Sequence, residues 1–142
     1  MFRKFVVLPE KGEDQSYGVA LIKSRKSPDK RLRMAINAIA YVKSNDIVLA
    51  ELLFDTSSAV DVDRSEIGKL KKVVEKYPIK YFVVYSPEDI TEDFDDLIEF
   101  AYLLKQHGAI ILSIDDDAVI SYEMLKSIKK EMENDEEADG DE

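Results

Sequence analysis

Apolar positions along this chain recur in two periods, and the switches between them outline an alternating series of strands and helices. Residues 17–23 (YGVALIK) form a near-continuous apolar run, the pattern of a strand covered on both faces. Ser27-Pro28-Asp29 then opens a helix, with proline suited to the first turn and Asp29 facing the positive helix end. Leu32, Ala35, Ile36, Ile39 and Val42 follow at helical spacing and predict its core face. Residues 46–54 give a second strand. Ser65 reads as the N-cap of a helix reaching about Lys76, with Ile67, Leu70, Val73 and Val74 inward. After Pro78, IKYFVVY (79–85) is a third strand. Thr91, or Ser86 before it, caps a helix with Phe94, Leu97, Ile98, Ala101 and Leu104 on one side, and His107-Gly108 ends it. AIILSI (109–114) is the fourth strand, followed by the Asp115-Asp116-Asp117 turn and a short fifth strand, AVISY (118–122). FRKFVVL (2–8) adds an edge strand at the N-terminus, and 123–132 reads as the last helix.

This rhythm predicts an α/β fold: a three-layer α/β/α sandwich around a mostly parallel sheet of four or five strands, with the N-terminal edge strand as an extra. One domain is expected over 1–132, then an acidic tail over 133–142 whose composition predicts disorder. Parallel neighbours require right-handed crossovers, and ligands of such sheets collect beyond the carboxyl ends of the strands. Lys23 and Ser24, Asp55, Ser86–Asp89 and Asp115–Asp117 all fall at those ends.

Composition narrows the function classes. The 142 residues contain no cysteine, so disulfides and thiolate metal sites are excluded. No apolar run is long enough for a membrane span, and the apolar N-terminal stretch is too short for a signal peptide, so a cytoplasmic location is expected. Abundant charge with few Asn and Gln leans towards a thermophile. Five glycines, at 12, 18, 68, 108 and 140, assemble neither a dinucleotide fingerprint nor a P-loop. The sole histidine, His107, sits at a helix end and supports no Ser-His-Asp arrangement. The net charge of −10 opposes non-specific nucleic-acid binding, but it is unevenly spread. Residues 1–85 carry 16 basic and 11 acidic side chains, whereas 86–142 carry 4 and 19. The densest basic stretch is Lys23, Arg25, Lys26, Lys30, Arg31 and Arg33.

FDTSSAVDVDR (54–64), together with ALIKS (20–24) and YFVVYSPEDITED (81–93), resembles the catalytic domain of serine recombinases, the resolvase and invertase family. That family has an acidic residue at the end of its second strand, then Ser-Gly, then an arginine at a fixed distance. Asp55, Ser58 and Arg64 occupy those positions, with Ala59 in place of the glycine. The resemblance covers about residues 17–115 and implies a resolvase-like fold. It also exposes losses. The family motif Tyr-Ala-Arg-Val-Ser corresponds to Val19-Ala20-Leu21-Ile22-Lys23, so the nucleophilic serine becomes Lys23 and an arginine becomes Leu21. Asp-Arg-Leu-x-Arg corresponds to Glu88-Asp89-Ile90-Thr91-Glu92, so two further arginines become Asp89 and Glu92. Phosphoryl transfer needs clustered positive charge around the phosphate, and acidic replacements oppose it.

Three readings follow. The first is a non-catalytic binding, assembly or regulatory module linked to DNA recombination or mobile elements. It would need no cofactor and would dimerise, as family members do through the helix after the last strand, here residues 119–132 with Ile120, Met124, Leu125 and Ile128, a stripe equally suited to packing on the domain's own sheet. A basic protein partner would meet the acidic half and tail, and direct DNA binding is doubtful. The second is a Toprim-like nuclease holding Mg²⁺ or Mn²⁺ on Asp55, Glu88, Asp115 and Asp117. The third is an active recombinase that uses Ser24, with Asp55, Arg64 and Glu88 as the other catalytic candidates. Lys23, Arg25, Lys26 and Arg64 are the candidate anion-binding residues, while Arg64 is also suited to a structural ion pair with Asp55 or Glu88.

Overall fold

The computed structural model describes residues 8–58 and 61–140, with side chains to residue 135. Its elements run β1 (Ser16–Lys23), α1 (Pro28–Ser44), β2 (Ile47–Asp55), α2 (Ser65–Lys76), β3 (Ile79–Val84), a 3-10 turn (Pro87–Asp89), α3 (Phe94–Gln106), β4 (Ile110–Ser113), β5 (Ala118–Ile120) and α4 (Tyr122–Gly140). The five strands lie in the order β2-β1-β3-β4-β5. The pairs β1–β2, β1–β3 and β3–β4 are parallel, and β5 is antiparallel to β4. The expected α/β sheet is therefore present. The N-terminal edge strand expected over 2–8 lies almost wholly outside the described residues. Helix α4 runs to Gly140, into the stretch whose acidity predicted a disordered tail.

Two unequal apolar clusters hold the layers together. The larger gathers Leu21, Phe82 and Ile111 from the sheet with Ile67, Leu70 and Val74 of α2, Leu97, Phe100 and Leu104 of α3, and Leu125 of α4. Phe82 and Phe100 meet edge to face, with ring centroids 5.1 Å apart. Such a pair adds about 0.5–1.5 kcal/mol beyond its area. The smaller cluster lies under α1 and includes Ala20, Val42, Ile47, Val83 and Leu112. Gly18 lies where β1 shifts register against both neighbours. A Cβ there would come within 2.8 Å of Ile47 Cγ2. Glycine is thus what lets β2 and β3 approach β1 at this point.

Local chemistry revises two caps and one helix face. Arg64, not Ser65, occupies the N-cap of α2, with no side-chain cap bond, because a guanidinium has no acceptor to offer the first helix N–H groups. Ser86 caps the 3-10 turn, and α3 is capped separately by Asp93, whose carboxylate accepts from Asp96 N at 2.9 Å. Thr91 is buried between them and accepts from Asp93 N. On α1 the buried residues are Ala35, Ala38 and Val42. Of the expected core face, Leu32, Ile36 and Ile39 point outward, 57%, 55% and 48% exposed. Small alanines let α1 approach the sheet closely, and the larger apolar side chains lie beyond the contact.

Candidate functional site

Lys23, Asp55, Val84 and Ser113 close the carboxyl ends of four parallel strands, so parallel geometry brings distant segments to one rim. Between β1 and β3 this rim opens into a cleft of about 750 Å³. Lys23, Ser24, Arg25 and Lys26 line one side, and Tyr85, Asp89 and Asp115 are among those lining the other.

Asp55 is almost fully buried at the end of β2. Its Oδ2 accepts from Arg64 Nε at 2.5 Å. Its Oδ1 accepts from the Ser57 backbone N–H at 3.0 Å and from the Ser57 hydroxyl at 2.7 Å. Burial acts to raise the Asp55 pKa, but the Ser57 and Arg64 hydrogen bonds and the Arg64 charge outweigh it and hold it below the ordinary value. Arg64 is itself buried and all three of its nitrogens are engaged. Besides Asp55, Nη1 donates to the carbonyls of Ile90 at 2.7 Å and Asp61 at 2.9 Å, and Nη2 donates to the Asp89 carbonyl. One guanidinium thereby ties the β2 end, the start of α2 and the segment after β3 together.

Lys23 donates to the Ser57 carbonyl at 2.9 Å and stands 3.8 Å from Asp55 Oδ2. Its side chain is 15% exposed, so it borders the buried pair and reaches the cleft. Ser24 is buried, and its backbone N–H continues the ladder to Asp55 O at 2.9 Å. The Ser24 hydroxyl accepts from Lys26 N at 3.1 Å, which ties it into the turn leading to α1. Leu21, at the position of a family arginine, fills the larger apolar cluster. Asp89 lines the cleft, where burial raises its pKa. The Ser86 N–H, Lys23 and Arg64 act against that rise, and Asp115 adds to it. Burial and the Asp115 charge likewise raise the Tyr85 pKa.

The remaining candidates are dispersed. Glu88 is exposed on the 3-10 turn and, with Glu92, borders a different groove towards α4, so Arg64 pairs with Asp55 and not with Glu88. Asp117 adopts a left-handed backbone (φ 46°) and accepts from the Tyr41 hydroxyl at 2.5 Å. Burial and that carboxylate push the Tyr41 pKa up to about 12. Asp116 accepts from the Ser113 hydroxyl at 2.6 Å. Among the described residues no three carboxylate or histidine side chains are grouped so as to hold a metal ion. The set Asp55, Glu88, Asp115 and Asp117 is thus not gathered for Mg²⁺ or Mn²⁺, and Asp55 already has a cationic partner. Ser57, not Ser58, supports Asp55. The Asp-x-Ser spacing was its available signal, since an aspartate readily accepts from the backbone two residues on. Ala59 lies outside the described residues.

A mostly parallel sheet with a buried Asp–Arg pair at its carboxyl rim fits the resolvase-like α/β fold, that of serine recombinase catalytic domains. Solved structures bear this out. The chain is similar to the C-terminal catalytic domain of ISC1926 TnpA, an IS607-like serine recombinase (18% identity, TM-score 0.62, 70% of each chain covered). It is similar to the N-terminal catalytic domain of TP901-1 integrase (13% identity, TM-score 0.65, 82% of this chain and 97% of that one). A resolvase family site-specific recombinase from Streptococcus pneumoniae matches at 11% identity and TM-score 0.62, over 87% and 93% of the two chains. No family model matches the sequence, and no curated protein matches it. Among the described residues, no helix is long and apolar enough to cross a membrane.

Proposed function

We propose that this resolvase-like domain lacks recombinase chemistry and acts as a binding, assembly or regulatory module linked to DNA recombination or mobile elements. The observation that carries the reading is the use of Arg64. At the arginine position kept from the family pattern, the guanidinium is spent on Asp55 and on the carbonyls of Asp61, Asp89 and Ile90. Lys23 stands at the nucleophile position, and Asp89 and Glu92 replace arginines. A cleft that combines Lys23, Arg25 and Lys26 with Asp89 and Asp115 has mixed sign, which weakens it as a phosphate site.

The module associates through residues 119–132, where Met124 and Ile128 are exposed while Ile120 and Leu125 pack into the domain's own core, and forms a homodimer. The acidic half, residues 86–142, would attract a basic protein partner. The test is incubation of the chain with supercoiled and duplex DNA, followed by denaturing electrophoresis. No covalent protein–DNA adduct is expected, and Ser24→Ala should behave as wild type. An adduct lost in Ser24→Ala would restore the recombinase reading. Nicking that depends on Mg²⁺ or Mn²⁺ and is lost in Asp115→Asn or Asp117→Asn would restore the nuclease.

A further inference from the structure

We propose that helix α1 of one copy seats in the groove between α3 and α4 of a second copy, forming a head-to-tail contact. The inference rests on the proposed self-association through residues 119–132, with α1 as the surface that they meet in place of a closed, symmetric dimer. The groove holds about 540 Å³, and its floor includes Phe94, Leu97, Ile120, Met124, Leu125 and Ile128. Glu88, Glu92 and Asp116 stand around it, with no basic residue in its lining. It is an apolar trough with an acidic border.

Helix α1 presents the complementary ridge. Leu32, Ile36 and Ile39 follow at spacings of four and three residues, which places them on one face of the helix. They are about half exposed, an unusual concentration of bare aliphatic surface on one element. Arg33, three residues before Ile36, and Lys43, four after Ile39, are exposed beside this face, against a single acid on the helix, Asp29. A ridge of i, i+4, i+7 anchors entering an apolar groove is a recurrent way for a helix to be recognised. Opposite charges around the two surfaces steer the encounter and fix its orientation.

The two surfaces cannot meet within one molecule. Helix α1 covers one face of the sheet, over Ala20, Val83 and Leu112, whereas α3 and α4 cover the opposite face, where the groove runs. A second copy supplies both complements at the protein's own concentration. Such a contact is heterologous: each pair leaves one ridge and one groove open, so a ring or a chain grows as concentration rises.

Sedimentation velocity on the full chain across a concentration series tests this, with two variants built only from exposed positions. Arg33→Glu/Lys43→Glu acidifies the ridge, and Glu88→Lys/Glu92→Lys makes the groove basic. Each variant alone should associate at least about tenfold more weakly than wild type. An equal mixture should recover association, because an acidic ridge then meets a basic groove and a basic ridge an acidic groove. Association unchanged in Arg33→Glu/Lys43→Glu but lost in Ile128→Glu would overturn the α1 contact and leave the homodimer through 119–132 standing. Variants that both dissociate without recovery on mixing would also overturn it. A wild-type chain that is monomeric at every concentration would remove both.

Discussion

On either side of Lys23 the strand-end rim carries similar residues in opposite states. On one side Asp55, Ser57 and Arg64 form a closed set in which both carboxylate oxygens and all three guanidinium nitrogens have partners. On the other, Asp89 shares the open cleft with Lys23 and Asp115 and has the Ser86 N–H as a hydrogen-bond donor, at 3.3 Å. Burial acts on both aspartates, yet Asp55 is held below its ordinary pKa and Asp89 is raised above it. The difference teaches that burial sets the cost of a carboxylate and directed donors decide whether it is met.

Removing the guanidinium is the largest way to break this contrast. Arg64→Ala leaves Asp55 buried without its cation and frees three carbonyls, so a loss of about 3–5 kcal/mol is expected in urea unfolding. A loss below about 1 kcal/mol would mean that water or Lys23 replaces Arg64, and the pair would not be what joins these segments. Arg64→Lys should recover only part of the stability, because an ammonium cannot reach Asp55 and the separate carbonyls as a planar fork does.

Ser57→Ala is a smaller perturbation of the same side. It removes one hydroxyl donor and keeps the backbone N–H, for an expected loss of about 1 kcal/mol. It should also move the Asp55 pKa upward, which ¹³C NMR of the side-chain carboxyl can follow. An unchanged titration would show that Arg64 and the Ser57 N–H suffice to hold the carboxylate ionised.

The sheet was legible because its strands are covered on both faces, so the runs at 17–23, 79–85 and 109–114 read as buried strands. The Asp55–Arg64 pair was legible from spacing, with Glu88 as the competitor; the turn geometry at Pro87 sends Glu88 to the α4 groove instead. The exposed ridge of α1 was not legible. Periodicity finds an apolar face but cannot say whether the sheet is wide enough to cover it, and here Ala38 replaces Ile36 and Ile39 at the contact. Ser57 was missed because two adjacent serines look equivalent until the chain turns. The state of Asp89 depends on how the 3-10 turn folds over β3, a tertiary outcome with no local pattern.

The two aspartates should therefore respond to acid in opposite directions. Asp55, lowered from 3.8, contributes stability that is present above that value and is lost as pH falls through its folded pKa. Asp89, raised from 3.8, contributes stability below that value and loses it as pH rises through its folded pKa. Above that point the ionised Asp89 is a net cost. Asp89→Asn keeps an acceptor for the Ser86 N–H and removes the charge, so it should stabilise the domain near neutral pH. The gain should shrink to nothing as the pH falls below about 4, where the native side chain is also neutral. Asp55→Asn should do the reverse, with its largest loss at neutral pH and a narrower deficit in acid. Unfolding by urea at several pH values gives both curves from the same three proteins. If Asp89→Asn is destabilising at neutral pH, attraction to Lys23 and Arg64 outweighs burial and the two sides of the rim are alike. If its gain follows the expected pH course, the open side carries an unfavourable charge in the resting fold, one that a basic group from a partner would relieve.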